Sequence, residues 1–184
     1  FGEGFGNALS SMILYPASKY VDTYGREQRN GFYMDMEDNS EDHNSGWFSE
    51  GSVQTILYDL FDPDDEPGID AISLGLEPLY DVFVGGQKDT PAWTTIFSFI
   101  HALKTAYPGN DVAIDQLLDR HLIEPIVDEW GTTEDGNGGW SKNIPVYNSV
   151  PTDGTHITVK MTGSSSPSDD YNKLPLNRYG RFVG

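Results

Sequence analysis

The sequence predicts a mainly helical fold, with a helical body from residue 1 to about 130 and a short irregular tail carrying a few strands over residues 131–184. Three observations predict it. Apolar residues recur at helical spacing in several stretches bounded by capping and breaking residues. Period-two alternation shows at Thr155–Met161, late in the chain. Beyond Trp130 the composition shifts to Gly, Thr, Ser, Asn and Pro.

The first helix takes the opening segment, Phe1-Gly2-Glu3-Gly4-Phe5-Gly6-Asn7-Ala8-Leu9-Ser10. On a helical wheel Phe5, Ala8, Leu9 and Met12 form the core stripe, and Glu3, Asn7 and Ser10 fall opposite, flanked by Gly6. After Pro16, the stretch from about Arg26 to Gly46 reads as a long polar excursion anchored by Phe32, Tyr33, Met34 and Met36. Loops of such length usually serve a site or fold over one. The next helix opens at Ser49 as N-cap and sets Val53, Ile56, Leu57, Leu60 and Phe61 on one stripe. An acidic turn, Asp62-Pro63-Asp64-Asp65-Glu66-Pro67-Gly68, ends it.

A shorter helix runs from Leu76 or Pro78 to about Phe83, where Gly85-Gly86 stops it. Thr90-Pro91 reads as a cap followed by proline at the first helical position, and Trp93, Ile96, Phe97, Ile100, Leu103 and Tyr107 keep helical spacing up to Pro108-Gly109. A further helix, capped by Asn110, carries Ile114, Leu117, Leu118 and His121, which makes His121 a core-edge histidine. In the tail, Asp135–Gly139 is a turn cluster, Thr155–Met161 a strand, Gly163–Asp170 a polar segment, and Tyr171–Gly184 extended, with Tyr179 and Phe182 as anchors.

The 184 residues suit one domain or one and a half, and they carry a formal charge of −18 from 29 acidic and 11 basic side chains. That balance argues against nucleic-acid and anionic-membrane partners and favours cationic partners or calcium. Cysteine is absent, so neither disulfides nor thiol chemistry enters. No apolar run reaches the ~20 residues that span a bilayer. Phosphate-binding glycine loops, basic aromatic patches and a G-x-S-x-G nucleophile elbow are missing too.

The opening helix holds the main functional signal. Glycines at positions 2, 4 and 6 each give up roughly 1 kcal/mol of helix stability relative to alanine, and close approach of a partner is the usual reason for keeping them. A solvated polar face is the plain account of Glu3 and Asn7. A carboxylate held where another backbone packs tightly is also a candidate metal ligand or buried hydrogen-bond acceptor.

Gly2-Glu3-Gly4-Phe5-Gly6 resembles the N-E-G-F-A motif of the glutamate helix in the aminopeptidase N branch of the gluzincin metallopeptidases, departing from it at Gly2 and Gly6. Glu3-x-x-x-Asn7 is similar to the E-x-x-x-D of the thermolysin branch, with asparagine in place of aspartate. Gly46–Val53 followed by Ile56–Asp62 is similar to a stretch of uncharacterised secreted bacterial proteins in which an HExxH helix precedes a phrase like F-G-E-G-F-G-N-A, the wording of Phe1–Ala8 here. The resemblance implies the helical C-terminal subdomain of a gluzincin-like peptidase. It implies Glu3 as third zinc ligand, Asn7 as the group orienting a ligand histidine, a peptide or protein substrate, and a secreted or cell-envelope location in a bacterium.

His43, His101, His121 and His156 are too dispersed for HExxH, and His121-Leu122-Ile123-Glu124 continues with Pro125, so it reads as a helix end. The chain also begins without methionine, partway into an element. It is therefore expected to be a fragment, inactive alone, of a zinc peptidase whose histidines and general-base glutamate lie upstream.

Two acidic clusters suggest calcium: Asp35, Glu37, Asp38, Glu41 and Asp42, and Asp62, Asp64, Asp65, Glu66 and Asp70. Neither has EF-hand spacing, and a solvated acidic loop is the plainer account. Glu50 suits the positive end of its helix dipole, and its place in Ser49-Glu50-Gly51-Ser52 also admits a site role. Tyr58 and Tyr80 lie at distances from Glu3 that suit an oxyanion-stabilising tyrosine, but neither sits in a motif that assigns it. The rival to the peptidase is a non-catalytic helical interaction or calcium-stabilised module of a secreted or surface protein.

Overall fold

The computed structural model describes residues 1–16, 19–22, 32–36, 45–63, 71–134, 147–158 and 179–183. The chain is mainly helical. In order it forms α1 (Gly2–Ile13), β1 (Lys19–Asp22), β2 (Phe32–Asp35), α2 (Glu50–Asp59), α3 (Leu76–Val84), α4 (Gly86–Asp89), α5 (Ile96–Ala106), α6 (Asp111–Arg120), β3 (Tyr147–Pro151) and β4 (Tyr179–Val183). No described helix is long and apolar enough to cross a membrane.

α2 begins where the sequence places it. Ser49 is extended, and its hydroxyl accepts from the Ser52 amide at 3.3 Å. Every residue from Ser52 to Asp59 is buried, so α2 is a core helix rather than a surface one. α1 lies along it, and Gly4 is the point of closest approach. A Cβ on Gly4 would stand 2.7 Å from the Glu50 carbonyl oxygen and 2.9 Å from Val53 Cβ, a separation only glycine permits. Gly2 and Gly6 face open space, so close packing accounts for one of the three glycines.

The start of α5 differs from expectation. Residues 90–95 form turns, and Thr95 caps the helix: its hydroxyl accepts from the Ser98 amide at 3.4 Å, while the Ser98 hydroxyl accepts from the Thr95 amide at 3.0 Å. Thr90-Pro91 fits a cap by composition, but the reciprocal pair whose cap, Thr95, lies five residues after Thr90 satisfies two orphan amides and prevails. Trp93 consequently stays outside the helix and is exposed. The buried face of α5, Ile96, Phe97, Phe99, Ile100 and Leu103, is the centre of the core. Phe97 meets Trp47 at a ring distance of 5.5 Å, and Phe99 stacks on Phe83 of α3 at 4.7 Å.

α6 stops by a Schellman arrangement. The Ile123 amide donates to the Leu118 carbonyl and the Leu122 amide to that of Asp119, with Leu122 at a φ of 57° in the position glycine usually takes. Leu118 and Ile123 close it as a buried apolar pair. Asn110 holds the N-cap position, although its amide turns back to the Tyr107 carbonyl at 3.2 Å instead of capping. His121 is buried at the core edge, as its helical position predicts. Beyond it, Gly131 at a φ of 66° lets the chain cross the Phe97 ring, which a Cβ would meet at 2.8 Å.

The long polar excursion contains an element that its composition concealed. β2 pairs antiparallel with β1, Lys19 opposite Asp35 and Asp22 opposite Phe32. In the tail, β3 pairs parallel with β4, from Tyr147 opposite Tyr179 to Pro151 opposite Val183. The strand expected at Thr155–Met161 is not formed over residues 155–158, and residues 159–161 lie outside the described set. The turn cluster at 135–139 and the polar segment at 163–170 lie outside it as well.

The glycines of α1 separate cleanly by substitution. Gly4→Ala is expected to destabilise the chain by about 1–3 kcal/mol through overpacking against α2. Gly6→Ala, in open space, should stabilise it by up to about 1 kcal/mol. Urea unfolding of the two variants measures both, and equal responses would remove the steric role of Gly4.

Candidate functional site

The sequence-predicted residues of α1 have opposite environments. Glu3 is exposed, and its carboxylate accepts no hydrogen bond from any described residue. Asn7, for which the sequence leaves both a solvated face and a tightly packed one open, is buried in the contact with α2. The face of α1 bearing Gly4, Asn7, Ala8 and Ser11 is the one turned inward, and Gly4 lets the two backbones come close there.

Asn7 Nδ2 donates to Glu50 Oε1 at 2.7 Å and to Gln54 Oε1 at 2.8 Å. Glu50 and Gln54 stand one turn apart on α2, so a single amide group bridges the turn. Because an ionised carboxylate can only accept, the Asn7 atom facing Glu50 must be the nitrogen. This fixes the amide flip and leaves Asn7 Oδ1 with no hydrogen-bond donor among the described residues. Glu50 thus joins Asn7 in the polar contact between the two helices and also sits in the first turn of α2, where the helix dipole favours its charge. Burial holds the Phe1 amino group below its ordinary pKa, against the opposing effect of the Glu3 and Glu50 carboxylates.

The other candidates lie apart. Tyr58 is fully buried, its ring tilted against Phe61 at 5.8 Å, a packing role, while Tyr80 is exposed on α3. Of the acidic clusters only Asp35, half-buried, and Asp62, buried, belong to the described residues. His43 is outside them, and His156 is exposed. Among the described residues no three His, Cys, Asp or Glu side chains converge as a metal site.

A second feature escaped the sequence reading. A groove of about 400 Å³ opens between α3–α4 and α5, with Val82, Gly86 and Ala102 in its lining and Asp81, Asp89 and Glu129 around it. His101 Nε2 lies 3.6 Å from Glu129 Oε2 inside it. The Tyr107 phenol nearby is held above its ordinary pKa by burial first, then by Asp81 and Glu77 beside it. The sequence signal was there. Ser98, His101, Ala102 and Thr105 repeat at helical spacing, a small polar stripe next to the aromatic one.

Compared with known proteins, the chain matches no protein-family model, no curated protein and no solved structure.

The Asn7 bridge is open to direct test. Asn7→Ala should cost about 1–3 kcal/mol by withdrawing the donor shared by Glu50 and the buried Gln54. Asn7→Asp should cost more at neutral pH, because it sets two carboxylates together. That extra penalty should shrink as pH falls through the carboxylate range and one of them takes a proton. Denaturant unfolding at neutral and acidic pH reports both, and a pH-independent difference between the variants would contradict the bridge.

Proposed function

We propose that this chain is the helical C-terminal part of a gluzincin-like zinc metallopeptidase of a secreted or cell-envelope bacterial protein, with Glu3 as third zinc ligand and Asn7 as the group that orients a ligand histidine. The observation that supports this most is the contrast between the two residues. Glu3 is exposed and accepts no hydrogen bond from the described residues, and Asn7, one turn away, is clamped so that its Oδ1 is the atom left to accept. An acceptor held rigidly in this way suits the imidazole N–H of a metal-bound histidine.

Glu3 fits zinc as an oxygen ligand, but one carboxylate is short of the three protein ligands of a catalytic zinc site. Zinc binding then requires two histidines, and hydrolysis a general base, from polypeptide beyond these residues. When bound, zinc polarises a carbonyl and lowers the pKa of its water. The part of this chain is to present Glu3 and to hold α1 in register against α2 through Gly4 and Asn7. By itself the chain is expected to be inactive on peptides.

A specific observation favours the rival, a non-catalytic helical module. Gly4, the glycine directly after Glu3, has a full steric explanation within the fold and needs no ligand.

Metal content separates the two. Protein joining this chain to the histidine-bearing polypeptide should retain about one zinc per chain, and Glu3→Gln should lose both zinc and hydrolysis. Asn7→Ala should weaken zinc binding by roughly 10–100-fold without abolishing it. Unchanged zinc in Glu3→Gln would defeat the ligand assignment. A melting temperature indifferent to millimolar calcium and to chelator would count against calcium stabilisation of the rival module.

A further inference from the structure

We propose that the groove between α3–α4 and α5 binds a lysine or arginine side chain of a peptide. The cavity, about 400 Å³, falls within the size range of small-ligand sites and is many times larger than a packing defect. Its lining is of two kinds. Val82, Ala102 and Ala106 give apolar surface for an alkyl stem, and Asp81, Asp89 and Glu129 supply carboxylates, with no lysine or arginine lining the space among the described residues. That combination matches a side chain with an apolar stem and a cationic head, which buries the first and keeps the second among oxygens.

The groove is a built feature and not a loose gap. Gly86 sits so close to α5 that its Cβ would lie 2.9 Å from Ala102 Cβ, which fixes the spacing at that end. Gln87 pins α4 to the head of α5 through the Thr95 carbonyl at 3.2 Å and the Ser98 hydroxyl at 3.4 Å. His101 engages only one of the three carboxylates, Glu129. Asp89 is exposed and makes no hydrogen bond or ion pair through its side chain with the described residues, so it is available to an incoming cation. The assignment stands apart from the zinc reading and uses none of its residues.

The test is amide NMR of the full chain titrated with a capped Gly-Lys-Gly peptide and with its norleucine counterpart, which keeps the stem and lacks the charge. The lysine peptide should shift the amides of Thr90, Ala102 and Thr105 saturably, and the norleucine peptide should not. Asp89→Asn with Glu129→Gln should weaken the lysine peptide about tenfold, since two rim charges are removed. Asp111→Asn with Asp119→Asn, exposed positions outside the groove, removes the same charge and should leave binding within about twofold. Equal binding of the two peptides, equal losses in the two double variants, shifts confined to other elements, or no saturable shift each overturns the proposal.

Discussion

The contact of Gly4 with the Glu50 carbonyl and Val53 is the constraint from which the arrangement of α1 follows. Helices usually pack with axes about 8–10 Å apart, and a side chain at the crossing point keeps them there. Without one, the backbones close until the polar side chains beside the crossing meet. The Asn7 amide is then inside, against Glu50 and Gln54, and a buried amide must find partners. The glycine and the hydrogen bonds are one feature: remove the close approach and Asn7 has nothing to reach.

An aromatic tier carries this contact into the rest of the core. Phe5 of α1 meets Phe83 edge-on at 4.6 Å, Phe83 stacks on Phe99 at 4.7 Å, and Phe1 lies 6.2 Å from Phe99. Such pairs contribute about 0.5–1.5 kcal/mol each beyond their buried area, so α1 is held from two sides, by polar bonds to α2 and by rings on α3 and α5. On the far side of α5, Lys104 pairs with Asp115 of α6 and also donates to the Ile126 carbonyl at 3.2 Å. Asp128 Oδ1 gathers the amides of Trp130 and Thr132 at 3.0 and 3.1 Å, and Glu134 accepts from the Glu124 amide at 3.3 Å. The segment after α6 is thereby ordered by side chain to backbone bonds where regular structure is lacking.

Much of the helical body was legible because its signals are local. The Ser49 cap, the stripe of α2, the glycine stop after α3 and the periodicity of α6 are each decided within a turn or two of chain. The misreadings share a cause, competition with something distant or stronger. Thr90-Pro91 lost to the Thr95–Ser98 box, and of the two readings open for Asn7, a solvated face and a packed one, α2 decides for the second by bringing Glu50 and Gln54 to it from more than forty residues on. The antiparallel β1–β2 pair was hidden because strand pairing depends on a partner that composition does not show. For the candidate site, the sequence indicated Glu3 and Asn7 as a pair, yet only the fold reveals that one is exposed and the other clamped.

The α3–α5 pair also explains why the groove and the aromatic tier coexist. Adjacent residues on a helix point about 100° apart, so Val82 and Phe83 on α3, and Ile100 and His101 on α5, belong to different faces. Phe83 and Phe99 close one side of the helix pair, while Val82 and His101 line the other. The groove remains open because the residues at its α5 wall, His101 apart, are small: Ser98, Ala102, Thr105 and Ala106 cannot fill the space that bulky side chains would occupy. A purely structural helix pair would gain by filling that wall with leucine or methionine, since buried apolar area contributes about 25 cal/mol per Å². Keeping small residues beside three carboxylates forgoes that stabilisation, and a site that accommodates a guest accounts for the choice where packing alone does not.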